Sequence, residues 1–390
     1  MKRTNRWIRG AALVAAAAPL MAMAQSSVTI YGVVDNALVY SSSQNGARNV
    51  YMRSGNLSAS KIGFKGSEDL GGGMQAFFQL ENGFDADTGA MSSANTLFNR
   101  QSFVGLSSQS AGSISIGRQY TPYYLYVGAI GSTTVLTGAT GAHPGDVDAL
   151  DTSVRSSNAI SYSSPVMGGA QLSALYGMGE TAGANATGSA YSLALKYNVN
   201  AWNFALGYQH LNRGTGSATW GSSTATANIP NSAINAGYQS ANSAQMVAAA
   251  ARYTVDKLMV GGSYSIAQYN PGAGSLFAQS VKFQTAGVFS TYQLNTRLTL
   301  AGGYSYTFAD KGNGIDTAAN YHQISLQETY AFSPRTALYF LQAYQLAGGS
   351  TLAANGSVIH ALAAVGDSQN STASSGKSQA VIMAGIRHSF

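Results

Sequence analysis

The 390-residue sequence contains few charged residues, no cysteine and only seven prolines. Asp, Glu, Lys and Arg together make up 9% of it, against about 25% in an ordinary soluble domain. The absence of cysteine excludes a disulfide framework, a catalytic thiol and thiolate metal ligands. Because 45% of the residues are hydrophobic, intrinsic disorder, which needs low hydrophobicity and high net charge, is also excluded.

Long apolar runs are missing after the first 25 residues, so a helical membrane protein is not expected. The first residues have the organisation of a secretory signal peptide. A basic start with Lys2, Arg3, Arg6 and Arg9 precedes an apolar stretch over 10–23, and an Ala-x-Ala pattern ends at Ala24. We predict that residues 1–24 are removed and that 25–390 form the working domain. The alternative, a membrane anchor, needs about 18 apolar residues, and this stretch is shorter.

The predicted cleavage changes the charge of the protein. It removes four of the 21 basic residues and leaves 17 Lys and Arg against 15 Asp and Glu, so the net charge falls from +6 to near +2. Binding of nucleic acid needs a basic stripe. We therefore expect no nucleic-acid partner.

Glycine (45), tyrosine (23) and phenylalanine (14) are abundant instead. Apolar and polar residues alternate with a period of two through most of the chain, as in 28–35 and 257–264, and this pattern predicts strands with two unlike faces. We predict sixteen strands, near 27–40, 53–67, 73–85, 97–108, 112–119, 156–164, 169–178, 189–199, 201–212, 243–255, 257–269, 280–293, 296–309, 320–332, 335–347 and 378–390.

Short and long connections alternate between these strands, so they would lie at opposite ends of an up-and-down sheet. Closing such a sheet into a barrel removes its edges. Barrels of the outer membrane combine an even strand number, short turns at one end, long loops at the other, an apolar outer face and a polar interior. We predict an all-β fold, a 16-stranded antiparallel transmembrane β-barrel. A large soluble secreted β-protein is the alternative, and it would not require the alternation. The eight long connections are expected around 41–52, 86–96, 120–155, 179–188, 213–242, 270–279, 310–319 and 348–377.

Five segments spread along the mature chain carry a family resemblance: QSSVTIYGVVD (25–35), GSEDLGGG (66–73), NRQSFVGL (99–106), GRQ (117–119) and GIRHSF (385–390). With them the sequence resembles the general porins of Gram-negative β-proteobacteria, which are trimeric sixteen-stranded outer-membrane channels.

The resemblance implies an exported multi-pass protein of the cell outer membrane, surrounded by lipid and lipopolysaccharide. It implies a homotrimer through which ions and small hydrophilic solutes diffuse, with a constriction loop, the third long connection (120–155), folded into the lumen. It also implies that Phe390 belongs to a signal read by the barrel-assembly machinery.

Charges at the narrowest point of a pore decide which ions pass, and the pleat predicts which side chains face the lumen. In the second strand Ile62 and Phe64 are expected to face lipid, so that Lys61 and Lys65 face the lumen. In the fourth strand Phe103 is assigned to the outward set. Arg100, with the opposite parity, is then expected to face inward.

The family resemblance places Lys61, Arg100 and Arg155 in a basic cluster on the barrel wall. The family often has Arg at the first of these positions, and Lys61 keeps the charge without the guanidinium fork.

The opposite side of the pore is expected to be acidic. The third long connection contains Asp146, Asp148 and Asp151, although each could be an ordinary solvated or capping residue. Glu81 has the parity of a polar row and is expected to face water in the lumen, and its charge would affect conductance only modestly if it lies off the constriction. A basic wall that faces an acidic loop predicts a transverse field and a mild anion preference.

A substrate-specific channel, an enzyme and an adhesin are the alternatives to a general diffusion channel. A substrate-specific channel, for example for sugars, would use the tyrosine-rich segment 120–126 as its binding strip, whereas the same rings could simply pin the loop to the wall. No Ser/His/Asp spacing stands out around the five histidines, so no enzyme activity, catalytic residue or cofactor is expected. No metal is expected either, since calcium at Asp146 and Asp148 would lack a full ligand loop. Adhesion through the exposed loops stays open.

Overall fold

The computed structural model describes residues 27–141, 143–151, 154–215, 220 and 225–390, so the predicted signal peptide lies outside the described residues. Among the described residues no helix is long and apolar enough to cross a membrane. The helices are short: α1 (Pro122–Tyr126), α2 (Ser132–Leu136) and α3 (Gly138–Gly141), with 3₁₀ turns at Gly128–Ile130, Pro144–Asp146 and Ala236–Tyr238.

The described residues otherwise form strands joined by turns and loops. The strands are β1 (Ser27–Gln44), β2 (Ala47–Ser54), β3 (Lys61–Gly71), β4 (Met74–Gly83), β5 (Gln101–Ser108), β6 (Gly112–Tyr120), β7 (Arg155–Ser163), β8 (Ala170–Gly177), β9 (Ala190–Val199), β10 (Trp202–Asn212), β11 (Ser243–Val255), β12 (Leu258–Asn270), β13 (Val281–Gln293), β14 (Leu298–Ala309), β15 (Asn320–Ala331), β16 (Thr336–Gly348), β17 (Ser350–Leu352), β18 (Val358–His360) and β19 (Ser378–Ser389).

Seventeen of these strands form one closed antiparallel sheet. Strand β1 pairs with β2 along its second half and with β3 along its first half, so β2 and β3 are two parts of one interrupted strand. Counted in this way the barrel has 16 strands, and β1 closes it by pairing with β19. The predicted barrel is confirmed, and most predicted strands begin and end within a few residues of the observed ones.

The two faces of the barrel differ as the alternation predicts. Large apolar side chains such as Val104 (60% exposed) and Leu206 (53%) lie on the outer face. Their neighbours along the strands point inward, and this inner face carries polar side chains such as Thr285 and Gln345, which are fully buried. The low charge content follows, because a charge on the outer face at mid-membrane costs about 2–4 kcal/mol.

The first connection differs from its prediction. Instead of a long loop over 41–52, β1 and β2 are joined by a two-residue turn at Asn45 and Gly46, whose φ angles are 50° and 97°. Asn-Gly is the commonest pair in such hairpin turns, because both residues adopt positive φ. The predicted second strand also misses its interruption at 55–60, and the small β17–β18 hairpin in the last long connection has no counterpart among the predictions.

The first and last strands meet at a close contact. The backbone N–H of Gly32 donates to the carbonyl of Phe390, and the N–H of Phe390 donates to the carbonyl of Gly32, each at 3.1 Å. A Cβ at position 32 would lie 2.4 Å from the Phe390 ring and 2.6 Å from the Lys61 carbonyl oxygen. The ring of Phe390 therefore covers Gly32 at the seam, where only glycine fits.

We expect Gly32→Val to hinder closure of the barrel, since overpacking at such a contact costs about 1–3 kcal/mol. Heat-modifiable electrophoresis should show a smaller folded fraction after refolding than for the wild type. Gly376→Ala is the matched control, because a Cβ at Gly376 has no atom within 4 Å. Equal folded fractions for Gly32→Val and the control would contradict the close-packed seam.

Candidate functional site

The third long connection, between β6 and β7, lies against the inner face of the barrel. Thr121 Oγ1 donates to Gln209 Oε1 of β10 at 3.0 Å. The hydroxyl of Tyr269 on β12 donates to the carbonyl of Val147 at 2.8 Å. Strand side chains that face the interior thus hold both ends of this connection.

The last long connection, between β16 and β19, also folds against the inner face. Gln345 of β16 exchanges two hydrogen bonds with the backbone of Ala364, at 3.0 and 2.7 Å. The N–H of Gly145 in the third connection donates to the carbonyl of Gly366 at 3.2 Å. This packing was not expected from the sequence. The apolar run 361–365 is the sequence feature that could have indicated that this loop packs inward.

A cavity of about 290 Å³ lies between these two connections and the wall. Its lining combines opposite charges with hydroxyl and amide groups. The wall contributes Lys61 and Arg100, together with the segment 55–59, where the second barrel strand is interrupted. The two connections contribute Tyr124, Thr133, Thr134, Thr137, Asp151, Asp367, Gln369 and Asn370.

Glu81 lies inside the basic cluster rather than away from it. Its carboxylate is 2.7 Å from Arg100 Nε and 3.9 Å from Lys61 Nζ. The hydroxyl of Tyr31 donates to it at 2.9 Å. Glu81 is only 3% exposed, so the expectation that it faces open water was wrong. It compensates part of the basic charge of the wall.

The inward position of Arg100 has a different cause from the predicted one. Phe103 packs edge-on against Phe77 inside the barrel, with 6.2 Å between ring centroids, so its assignment to the outer face was wrong. Strict alternation would then turn Arg100 outward. However, β5 begins only at Gln101, and Phe98 has a φ of 58°. The irregular backbone before the strand directs Arg100 to Glu81.

Tyr120 joins two arginines of the cluster. The guanidinium carbon of Arg155 lies 4.9 Å from the centre of the Tyr120 ring, and that of Arg100 lies 5.9 Å from it. Arg155 Nη2 also donates to the Tyr120 hydroxyl at 3.2 Å. The electron-rich ring attracts both cations and holds them close to each other despite their repulsion. Lys65 points inward as expected, over the ring of Tyr31 at 5.3 Å, and does not contribute to the cavity lining.

The expected acidic face is only partly present. Asp146 and Asp148 are fully buried, and of the three carboxylates in the third connection only Asp151 lines the cavity. Asp367 of the last connection supplies a second carboxylate that the sequence analysis did not identify. It accepts the N–H groups of Gln369 and Asn370 at 2.7 Å each.

Asp148 instead anchors the third connection to β12. His143 Nδ1 lies 2.5 Å from Asp148 Oδ2, and the hydroxyl of Ser265 donates to the same oxygen. Burial opposes ionisation of this carboxyl, but the neighbouring His143 and both hydrogen bonds hold its pKa below the usual range. Asp148 therefore acts in packing rather than in the pore.

His143 also completes an arrangement that resembles the Ser-His-Asp triad of hydrolases. The Oγ of Ser132 is 3.2 Å from His143 Nε2, on the opposite side of the ring from Asp148. All three residues are at most 4% exposed, so a substrate could not reach the hydroxyl. Ser263 of β12 lies 3.5 Å from the same nitrogen. We interpret the group as part of the anchor.

The tyrosines at the start of the third connection are mostly buried. Tyr120, Tyr123 and Tyr126 are 6%, 0% and 8% exposed, and of the four only Tyr124 lines the cavity. They pin the connection to the wall, as one of the two interpretations expects. Across the described ranges no group of three His, Cys, Asp or Glu side chains could hold a metal ion.

We expect Asp148→Asn to loosen the third connection, since a buried hydrogen-bonding group left without its partner costs about 1–3 kcal/mol. A carboxyl with a lowered pKa stabilises the fold above its unfolded pKa near 4, and this stabilisation is lost as the pH falls through the folded-state pKa. Thermal unfolding between pH 7 and pH 3 should therefore fall less steeply for Asp148→Asn than for the wild type.

The control for this experiment is Asp316→Asn, which removes an exposed carboxylate from another loop. Its unfolding temperature should follow the wild type across the same range. If Asp148→Asn also followed the wild type, the carboxylate would not anchor the loop.

The comparisons with known proteins agree with this architecture. An outer membrane porin protein of Bordetella pertussis is 30% identical over 379 residues, which cover 88% of this chain and 94% of the relative. Outer membrane porin protein 32 of Delftia acidovorans is 29% identical and covers 97% of this chain, with 98% of its own length matched. Among solved structures, an anion-selective porin from Comamonas acidovorans has a TM-score of 0.71 at 23% identity, over 94% of this chain and 100% of that one.

The match to the Gram-negative porin family covers residues 11–313. Together with the closed barrel and the relatives at 29–30% identity, it shows that the chain belongs to the Gram-negative porin family, whose members form diffusion channels in the outer membrane.

Proposed function

We propose that this porin forms a general diffusion pore with a mild preference for anions, and that its constriction is the cavity between the wall and the two inward connections. Lys61 and Arg100 line this cavity, and Arg155 lies next to Arg100 at the Tyr120 ring, so that these three cations would act on passing ions. The observation that carries the proposal is the pairing inside this cluster, where Lys61 and Arg100 share one carboxylate, Glu81. Arg155 lies on the Tyr120 ring without contacting that carboxylate.

The acidic side offsets part of the basic charge, although two of its expected carboxylates are engaged elsewhere. Of the three expected carboxylates Asp148 is paired with His143, and Asp146 accepts the N–H of Asp151 at 3.0 Å. Asp151 and Asp367 line the cavity. Three cations thus stand against three carboxylates, Glu81, Asp151 and Asp367. We therefore propose a weak anion preference, which depends on further basic side chains of the inner face.

The inner face of the barrel carries further basic side chains away from the cavity. Lys196 extends over the ring of Tyr126, with its Nζ 4.6 Å from the ring centre. Arg252, next to Asn203 at 3.2 Å, shares a face with buried Ala248 and Ala250 and so points inward. These cations extend the positive potential along the water-filled path and support the proposal. The Comamonas porin of similar fold is anion-selective, which supports it further.

We expect Arg100→Gln and Glu81→Gln to shift ion preference in opposite directions. A unit charge about 8 Å from an ion in water is worth about 0.5 kcal/mol, and it acts with opposite sign on chloride and potassium. Salt screening over a Debye length of about 8 Å reduces each of these energies to about 0.2 kcal/mol, so each variant should change the ratio of chloride to potassium permeability roughly twofold. Arg100→Gln should lower the ratio and Glu81→Gln should raise it. The reversal potential of single channels in a salt gradient measures this ratio directly.

Lys311→Gln is the control, because Lys311 is an exposed residue of another loop, and it should leave the reversal potential unchanged. A wild-type channel that prefers cations would contradict the proposed anion preference. An unchanged ratio in Arg100→Gln would place Arg100 outside the constriction.

We further propose that the protein assembles as a homotrimer in contact with lipid and lipopolysaccharide, after export with cleavage of residues 1–24 and recognition of Phe390 by the barrel-assembly machinery. A solved protein of similar fold, OmpT of Vibrio cholerae, occurs in a trimer form. No role as an enzyme is proposed, since the Ser132 hydroxyl is sealed by packing.

Conductance of the purified protein in a planar bilayer should rise in groups of three equal steps if three pores insert together. Added sugars should leave the open current unchanged, because three of the four tyrosines in the segment 120–126 are buried. Single isolated steps would contradict the trimer. Block of the current by one sugar would instead favour a substrate-specific channel.

A further inference from the structure

Asp35 on β1 is a buried carboxylate with an unusual set of partners. Its side chain points to the interior of the barrel and is 0% exposed. One oxygen accepts the N–H of Asn56 at 3.1 Å and the hydroxyl of Tyr339 at 2.6 Å. The other accepts the N–H groups of Leu57 and Ser58 at 2.9 and 2.8 Å. Three consecutive backbone donors thus converge on one carboxylate.

These donors belong to the interruption between β2 and β3. The ladder with β1 stops at Ser54 and resumes at Lys61, so the backbone groups of this segment need other partners. The backbone of Asp35 supplies one more, since its carbonyl accepts the N–H of Gly55 at 2.9 Å, and its N–H also donates to the side-chain Oγ of Ser60 at 3.1 Å. Asp35 therefore holds most of the interruption in place.

The interruption also forms one side of the proposed constriction. Residues 55–59 line the cavity, and so does Lys61, which lies two residues further along the chain. A shift of this segment would move the charged end of Lys61 and change the width of the cavity at the same time.

A second branch leads from the interruption to the other side of the cavity. Arg53 Nε donates to Asn56 Oδ1 at 2.7 Å, and Arg53 Nη1 donates to the carbonyl of Asn370. The N–H of Asn370 in turn donates to Asp367 at 2.7 Å. Asn56 therefore connects Asp35 to the last long connection and to the carboxylate of Asp367.

We propose that Asp35 is a positioning residue of the pore, which fixes Lys61 on one side of the constriction and, through Asn56 and Arg53, Asp367 on the other. Asp35 does not line the cavity itself, so it acts through the segment that it holds. The inference rests on the proposed function only in that the cavity is taken as the constriction.

Two substitutions of Asp35 test this role by single-channel recording. Asp35→Ala removes all four side-chain hydrogen bonds, whereas the amide of Asp35→Asn retains one accepting oxygen. With the segment released, we expect higher conductance, and a chloride-to-potassium permeability ratio that falls about twofold in Asp35→Ala, as for a displaced unit charge near the path. Asp35→Asn should lie between Asp35→Ala and the wild type in both measurements.

A direct effect of the charge gives a different pattern. Loss of a negative charge alone would raise the chloride preference equally in both variants and leave conductance unchanged, and this result would overturn the positioning role. Unchanged selectivity and conductance in Asp35→Ala would overturn it as well. Glu328→Gln is the matched control, since it removes one carboxylate from the outer face, where Gln342 donates to it at 2.7 Å.

Asn56→Ala keeps the proposal testable if Asp35→Ala does not fold. This variant leaves the carboxylate in place and removes only the link to Arg53, so the shift should have the same direction and be smaller. Asn56→Ala channels with wild-type conductance and selectivity would then overturn the inference. Each of these measurements is a change relative to the wild type. A wild-type channel that prefers cations would therefore contradict the proposed anion preference without deciding the role of Asp35.

Discussion

Backbone hydrogen bonding is the constraint on which the rest of this structure depends. Inside a membrane each unpaired N–H or C=O costs several kcal/mol, so strands can cross only as a closed barrel. Closure requires the first and last strands to meet, and they do so where Phe390 covers Gly32. Where the ladder is interrupted between Ser54 and Lys61, side chains replace it, and Asp35 accepts three of the orphaned N–H groups.

The same constraint explains why the interior is polar and why two long connections fold into it. Alternation gives the barrel an inner row of Ser, Thr and Gln side chains, and these groups need hydrogen-bond partners once water is displaced. Gln345 obtains partners from Ala364, and Gln323 donates to the carbonyl of Thr140. The connections in turn bury their own apolar residues, such as Val365, against the wall. Pore width is thus set by packing as well as by charge.

The regular part of the barrel could be predicted from the sequence because a period of two is a local property. The irregular part could not. The inward turn of Arg100 depends on the positive φ of Phe98, and strict alternation misplaced Phe103. The Asn45–Gly46 dipeptide is typical of a two-residue hairpin turn, so the long loop predicted there was wrong although a local pattern favoured the turn. The interruption at 55–60 is rich in Gly, Asn and Ser, which favour loops, but its path depends on Asp35, more than 20 residues away.

The acidic side of the pore was harder to predict for a further physical reason. A carboxylate on a loop acts as a pore charge only if no other side chain pairs with it. Its partners come from residues that are distant in sequence, so a local pattern does not predict them. Asp148 meets His143 and Ser265 of β12, whereas Asp367 reaches the cavity from a connection near the other end of the chain. Glu81 likewise compensates Arg100 instead of lining open water. Ion preference therefore follows from a small difference between paired charges, and residues that hold those pairs in place, such as Asp35, influence it without facing the ion.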